Sequence, residues 1–236
     1  MILLELFSGI GGFAKGFEQA GYKFTKHYFS EIDKHAIANY KYNYPNAEHI
    51  GSVTDVSGRD IERPNIITFG FPCQDLSIAG KRKGFTGKRS SLFYEAMRIV
   101  EETKPDIFIF ENVKGLFSSH NGKDFIAVLR TIADIGLYEC EWQMLNTKWV
   151  LPQNRERIYF VGHLAGRSKP RVFPISKNDS ILKRKTESAI SQSQTKDSYA
   201  TCISPKADGR ADGTYINVIG NLKGEGRLGI LGMMRV

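Results

Sequence analysis

Apolar residues in the first 165 positions alternate between short continuous runs and longer stretches with helical spacing. The short runs predict β-strands at residues 2–7, 27–30, 66–71, 107–110, 141–146 and 158–162. Apolar positions three and four apart predict helices over residues 13–20, 92–103 and 125–135, and a segment rich in Ala and Tyr before Pro45 predicts another. Strands separated by helices are typical of βαβ units, so we expect an α/β fold with a mostly parallel sheet.

The composition of the chain changes after residue 165. Residues 1–165 carry 20 basic and 19 acidic side chains, a net charge of +1, whereas residues 166–236 carry 13 and 6, a net charge of +7. We therefore predict an α/β domain over 1–165 and a separate basic region over 166–236. A near-neutral scaffold beside a basic region suggests a polyanionic partner, although a basic tail that only improves solubility has the same signature.

Several protein classes are disfavoured by the sequence. No apolar run approaches the roughly 18 residues that a membrane span needs, and the first residues do not resemble a signal peptide. The three cysteines, Cys73, Cys140 and Cys202, are widely spaced and form no C-x-x-C pair. We therefore expect no disulfide framework, no metal site and a reducing, cytoplasmic location.

The first candidate site is the glycine-rich turn at residues 8–12, between the first predicted strand and helix. Glycines allow a sharp turn and close approach of a ligand, and the helix that follows offers free N–H groups. The spacing is not the G-x-G-x-x-G of dinucleotide sites. Glu31 follows the second predicted strand, where a carboxylate can bind both hydroxyls of a ribose, although a solvated loop acid is an equally good interpretation.

The second candidate site follows the third predicted strand. Cys73 comes at the carboxyl end of that strand, where open α/β sheets place their active sites. Residues 75–91 carry three glycines and five basic side chains, which suits a loop that grips phosphates. Cys140 and Cys202 lack such surroundings, and we interpret both as structural.

Further charged residues follow later strands. Glu111 comes just past the predicted strand at 107–110, so it would face the same crevice as Cys73, although it could instead be a capping acid. Arg155 and Arg157 alternate before the last strand, and an extended backbone would point both the same way, toward a phosphate or a base carbonyl.

Together and in this order, these segments resemble the cytosine-C5 DNA methyltransferases of bacterial and phage type. The matching segments are F-S-G-I-G-G-F at 7–13, G-F-P-C-Q-D-L-S-I-A-G-K-R-K-G-F at 70–85, E-N-V at 111–113 and Q-N-R-E-R-I-Y at 153–159. The resemblance covers residues 1–165. It implies a Rossmann-like, S-adenosylmethionine-dependent methyltransferase fold followed by a target-recognition region, with double-stranded DNA as the substrate in a restriction-modification or phage setting.

The resemblance also implies roles for individual residues. Cys73 would attack C6 of a flipped-out cytosine, Glu111 would hold a proton at N3, Arg157 would contact O2 and Arg155 would support the pocket. The implied S-adenosylmethionine contacts are Phe7, Ser8, Gly9, Gly11, Gly12, Glu31, Ile32, Ser52, Pro72 and Leu92. The implied DNA contacts are Gln74, Ser77, Lys81, Arg82, Lys83 and Arg89.

Two departures from the family pattern stand out. Ser52 follows Gly51 where many members have an aspartate. The ninth and tenth motifs of the family are not recognisable in residues 166–236, so we expect the recognition region to be incomplete and a complementary polypeptide to supply the rest. The alternatives are an RNA-directed relative, a non-catalytic or partner-dependent DNA-binding fragment, and a small-molecule methyltransferase; the last would not explain the P-C-Q segment or the basic region.

Overall fold

The computed structural model describes residues 1–71, 92–166, 172–176, 217–218 and 231–234. The helices in these ranges are α1 (Gly12–Gln19), α2 (Lys34–Asn43), α3 (Leu92–Thr103) and α4 (Lys123–Ile135). The strands are β1 (Ile2–Leu6), β2 (Lys26–Ser30), β3 (Glu48–His49), β4 (Ile66–Gly70), β5 (Ile107–Val113), β6 (Tyr138–Asn146), β7 (Glu156–Leu164), β8 (Asn217–Val218) and β9 (Leu231–Met234). None of the helices in the described ranges has both the length and the apolar character of a membrane span.

All nine strands form one sheet in the order β3-β2-β1-β4-β5-β7-β6-β9-β8. The run from β3 to β5 is parallel throughout, because each connection crosses over the sheet. The α/β fold with a mostly parallel sheet is therefore confirmed. β7 breaks the pattern, since it pairs antiparallel with both β5 and β6.

Three expectations about local structure need correction. The two strands after α4 form an antiparallel pair joined by a short connection, which the alternation of strands and helices did not predict. The short strand β3 was not predicted either. Glu111 does not lie past the end of its strand but inside β5, because β7 supplies ladder partners as far as Val113.

A large aromatic core lies on the sheet face that carries α3 and α4. Phe69, Phe110 and Phe160 come from three neighbouring strands, and their rings stack with centroid distances of 4.9 Å and 4.3 Å. Each such stacked pair stabilises the fold by roughly 0.5–1.5 kcal/mol beyond the contribution from burying its apolar surface. The apolar helix faces predicted from spacing cover this core, and it keeps the carboxyl ends of β4 and β5 in fixed register.

The opposite face, covered by α1 and α2, contains a buried polar network. The hydroxyl of Tyr40 donates to the carboxylate of Glu5 and lies 2.6 Å from His27 Nε2. Burial, followed by the nearby charge of Glu5, raises the pKa of Tyr40 well above its ordinary value. The network satisfies a carboxylate in the middle of β1 and ties β1 and β2 to α2 beneath the glycine-rich turn.

Candidate functional site

The glycine-rich turn begins immediately after β1 and ends at the first residue of α1. Phe7, Gly9 and Gly11 all have positive φ, at 51°, 53° and 88°. A Cβ on Gly11 would lie 2.7 Å from the Tyr44 ring, so this position admits only glycine for both backbone and packing reasons. The turn is thus a tightly specified structure that rests on the aromatic rings of α2.

Glu31 follows β2 directly and is bound to the turn. Its Oε2 accepts a hydrogen bond from the backbone N–H of Gly9 at 2.9 Å. Its Oε1 accepts from the N–H groups of Ile32 and Asp33 at 2.8 Å and 3.0 Å. The sequence suggested either a ribose-binding carboxylate or a solvated loop acid, whereas the structure shows that the Glu31 carboxylate holds the turn against the end of β2.

The space above the turn fits a polar ligand. Apart from local backbone and chain neighbours, no atom of the described residues lies within 4 Å of the position that a Cβ would take at Gly9 or Gly12. Ser8 Oγ is buried yet has no hydrogen-bond partner in the described part of the chain, which is unusual for a buried hydroxyl. These features suit S-adenosylmethionine, which has an amino-acid end and a ribose. The site offers a hydroxyl that lacks a partner within the described ranges, open space over two glycines and the Glu31 carboxylate.

The other predicted cofactor residues in the described ranges differ in their surroundings. Phe7 and Leu92, which begins α3, are partly buried against the main core. Ile32 is 76% exposed, so its side chain has free surface available to a ligand. Ser52 Oγ lies 2.9 Å from Thr54 Oγ1, close in the chain to the Gly51 carbonyl that accepts from Ser30 Oγ.

A second cluster forms where β4 ends beside β5. Glu111 is in register with Gly70 of β4 and with Tyr159 of β7. A Cβ on Gly70 would lie 3.5 Å from Glu111 Cγ, so the Glu111 side chain extends over bare backbone. The Glu111 carboxylate is therefore held over Gly70, which precedes Cys73 by three residues in the chain.

Two guanidinium groups flank the Glu111 carboxylate. Arg155 Nη2 lies 3.7 Å from Oε1, and Arg157 Nε lies 3.4 Å from Oε2. The Arg157 contact is an ion pair without hydrogen-bond geometry, since Glu111 Oε2 and Arg157 Nε are both buried and neither has a hydrogen-bond partner among the described residues. Both atoms therefore retain unused hydrogen-bonding capacity.

The pKa of Tyr159 depends on the charges of this cluster. Burial chiefly raises the pKa of its hydroxyl, Glu111 raises it further and the two arginines oppose that rise. The two arginines thus lie close enough to offset the carboxylate, as expected from their alternation in an extended backbone.

Asn112 belongs to this cluster but was not singled out from the sequence. Its side-chain Nδ2 donates to the carbonyl oxygen of Phe71 at 3.2 Å, and its Oδ1 accepts from the N–H of Val113 at 2.8 Å. Asn112 is 3% exposed. The hydrogen bond orients the last described residue before the segment that carries Cys73, and only its position in the quoted E-N-V segment could have drawn attention to it.

The remaining predicted residues lie outside the described ranges. They are Pro72, Cys73, Gln74, Ser77, Lys81, Arg82, Lys83 and Arg89. Of the other two cysteines, Cys202 also lies outside, whereas Cys140 is fully buried in β6. Burial raises the pKa of the Cys140 thiol, with a further contribution from Glu141, so this thiol is a poor nucleophile.

Comparison with known proteins identifies relatives of this chain. The sequence profile of the C-5 cytosine-specific DNA methylase family matches residues 1–217. Over 161 residues the chain is 42% identical to the type II methyltransferase M1.ScrFI of Lactococcus lactis subsp. cremoris, covering 68% of this chain and 41% of that protein. Over 163 residues it is 39% identical to the type II methyltransferase M.Bsp6I of Bacillus sp. (strain RFL6), covering 68% and 51%.

A solved structure supports the same fold. The crystal structure of a Spodoptera frugiperda DNMT2 variant aligns with a TM-score of 0.58 and 23% identity, covering 74% of this chain and 53% of that one. The chain thus spans about two fifths to one half of the length of the curated relatives it matches. With a family profile that covers most of its length, this chain belongs to the C-5 cytosine-specific DNA methylase family.

Proposed function

We propose that this chain carries the catalytic core of an enzyme that transfers a methyl group from S-adenosylmethionine to C5 of cytosine in DNA. The observation that carries the proposal is the cluster in which Glu111 lies beside Arg157, with one hydrogen-bonding atom on each side chain lacking a partner within the described ranges. A carboxyl group and a guanidinium side by side match the N3 and O2 positions of a cytosine ring.

In the proposed reaction, Cys73 forms the covalent bond, and Glu111 and Arg157 stabilise the ring. The Cys73 thiolate attacks C6 of a flipped-out cytosine, so that an S–C6 bond forms and an electron pair moves toward C5. Glu111 holds a proton at N3 and Arg157 donates to O2, so negative charge does not build up on the ring. Once C5 has taken up the methyl group, which would leave S-adenosylhomocysteine behind, the proton on C5 passes to solvent. The C5–H electron pair then forms the C5–C6 double bond and the S–C6 bond breaks, which releases the Cys73 thiolate.

The turn after β1 is the proposed cofactor site. S-adenosylmethionine supplies an electrophilic methyl group when it is bound. Ser8 Oγ would bind its amino-acid end, and Glu31 would accept from the ribose hydroxyls while it keeps Gly9 in place. The proposed packing contacts are Phe7, Ile32 and Leu92.

A trapping experiment tests the reaction. Duplex DNA with 5-fluorocytosine at the target should form a stable covalent adduct, because fluorine at C5 cannot leave as a proton. Cys73→Ser should abolish the adduct, and Cys140→Ala, which changes a buried cysteine, should retain it. An adduct that survives in Cys73→Ser, or that disappears only in Cys140→Ala, would contradict the assignment of the nucleophile.

Double-stranded DNA is the proposed substrate partner, within a restriction-modification or phage context in the bacterial cytoplasm. The basic region 166–236 would supply phosphate contacts, and these give affinity without sequence information. Binding to unrelated duplexes should therefore weaken steeply with added salt. Salt-independent binding in a fluorescence titration would contradict a phosphate-based contact.

A complementary polypeptide is the second proposed partner. On the sheet face shared with α1 and α2, Ile109 and Val113 of the central strand β5 remain partly exposed. Apolar side chains at the centre of a sheet are normally covered. We expect methyl transfer by this chain to rise when a polypeptide with the ninth and tenth family motifs is added. Rapid methylation confined to one short site without any addition would contradict this dependence.

A further inference from the structure

Two buried polar side chains on β6 have no part in the proposed reaction. Glu141 is 5% exposed and Gln143 is 1% exposed, although both lie in the strand next to the arginine-bearing β7. They share one face of the strand, because side chains alternate, whereas Cys140 and Trp142 face the aromatic core. Burying polar groups of this kind is costly unless hydrogen bonds satisfy them.

Both side chains bind the backbone of residues 172–176. The Gln143 amide donates to the carbonyl oxygen of Ile175 at 2.6 Å and accepts from its N–H at 2.7 Å. The Glu141 carboxylate accepts from the N–H groups of Val172 and Phe173 at 3.0 Å and 3.2 Å. Four backbone polar groups of one short segment are therefore satisfied by two side chains.

His163 of β7 completes the arrangement, with Nε2 2.9 Å from Glu141 Oε1. Burial by itself raises the pKa of Glu141, but the hydrogen bonds from His163, Val172 and Phe173 outweigh that effect and lower the pKa below its ordinary value. The carboxylate is thus ionised at neutral pH and binds the two backbone N–H groups as a charged acceptor, which strengthens both hydrogen bonds.

The anchored segment lies a short distance from the Glu111 cluster. Glu111 is in register with Tyr159, and Tyr159 is in register with Gln143, so the three form one row across β5, β7 and β6. Neighbouring strands lie about 4.8 Å apart, which puts the Gln143 backbone roughly 10 Å from that of Glu111. The other edge of β6 pairs with β9 over residues Cys140 to Gln143.

We propose that Glu141 and Gln143 are positioning residues that fix the start of the basic C-terminal region on the sheet, so that DNA held by this region meets the Glu111–Arg157 pocket in register. The inference rests on the proposed function. The anchoring of residues 172–176 does not depend on their side chains, because Glu141 and Gln143 bind the backbone of this segment. Loss of the anchor therefore affects the use of DNA and leaves the cofactor site beside β1 and β2 intact.

The test compares Gln143→Leu and Glu141→Gln with Gln19→Leu, which makes the same change as the first variant at an exposed position of α1. Amide hydrogen exchange of Val172, Phe173 and Ile175 should accelerate about tenfold for each hydrogen bond lost. In methyl transfer to duplex DNA, KM for DNA should rise roughly tenfold, while the Kd of S-adenosylmethionine stays within about twofold. Gln19→Leu should match the wild type in all three measurements.

Each other outcome overturns the inference. Unchanged exchange would mean that the two side chains do not hold the segment, and faster exchange with unchanged KM would mean that the anchor does not affect DNA. A parallel loss of cofactor affinity would indicate general destabilisation. If Gln143→Leu does not fold, Gln143→Glu, which keeps the acceptor and loses the donor, serves in its place. A wild-type chain that transfers no methyl group even when a polypeptide with the ninth and tenth family motifs is added contradicts the proposed function; the Kd of a labelled duplex then replaces KM, with the same outcomes.

Discussion

The side chain of Asn112 donates a hydrogen bond to the carbonyl oxygen of Phe71, and so joins the buried end of β5 to the residue two positions before Cys73. Because both residues are buried, the hydrogen bond has no competition from water. Asn112 thereby fixes the residue that leads into the cysteine segment, and the adjacent Glu111 is the residue that we propose to act on the base.

Asn112→Asp should destabilise the protein and slow adduct formation with 5-fluorocytosine DNA. Aspartate has the same shape but cannot donate when ionised, so two buried oxygens would face each other. We expect a loss of about 1–3 kcal/mol in the free energy of unfolding, measured by urea denaturation. Asn39→Asp, at an exposed position of α2, is the matched control. An adduct rate equal to that of the wild type would show that the Phe71 carbonyl needs no fixing.

Glu31→Ala should weaken S-adenosylmethionine binding in calorimetry. The change removes a charged acceptor for the ribose and also frees the Gly9 N–H that Glu31 now binds. A charged hydrogen bond contributes roughly 1.5–3 kcal/mol, which corresponds to a 10- to 150-fold rise in Kd. Glu18→Ala, an exposed acid of α1, should leave Kd unchanged. Equal affinities for Glu31→Ala and the wild type would reduce Glu31 to a loop acid.

Two glycines of the turn should separate stability from cofactor affinity. Gly11→Ala introduces a Cβ at φ 88° and 2.7 Å from the Tyr44 ring, so we expect a loss of at least about 1–2 kcal/mol in unfolding free energy. Gly12→Ala adds a methyl group in open space and should keep stability while it weakens cofactor binding. Thermal denaturation and calorimetry on both variants measure these effects. A destabilised Gly12→Ala variant with unchanged Kd would contradict the position of the cofactor.

Asp124 should make stability depend on pH in the acid range. Its burial by itself raises the pKa, but hydrogen bonds from Ser119 at 2.5 Å and from His120 at 2.8 Å outweigh burial and lower the pKa. A carboxyl whose folded pKa is depressed contributes stability that is present above its unfolded pKa of about 4 and is lost as pH falls through the folded value. The difference in unfolding free energy between wild type and Asp124→Asn should therefore have its full value above about pH 5 and shrink as the pH falls below about 4. A difference that stays constant from pH 6 to pH 2.5 would show that the charge of Asp124 plays no part.

The sequence alone determined the type of every long element and the order of the candidate motifs, but not the two-residue strand β3. The α3 helix was predicted over residues 92–103 and lies there, because the spacing of its apolar side chains is a local property. The glycine-rich turn between β1 and α1 was also predicted, since turn residues act on their own backbone. Family membership followed from the same local segments, which keep their order in the chain.

Tertiary structure decided which of these side chains meet. The antiparallel entry of β7 between β5 and β6 brings Arg157 beside Glu111, although the two are far apart in the sequence. Local periodicity carries no information about such a register, because it depends on how two sheet faces and their helices pack together. For the same reason the Asn112–Phe71 hydrogen bond and the anchoring of residues 172–176 by Glu141 and Gln143 could be found only in the folded chain.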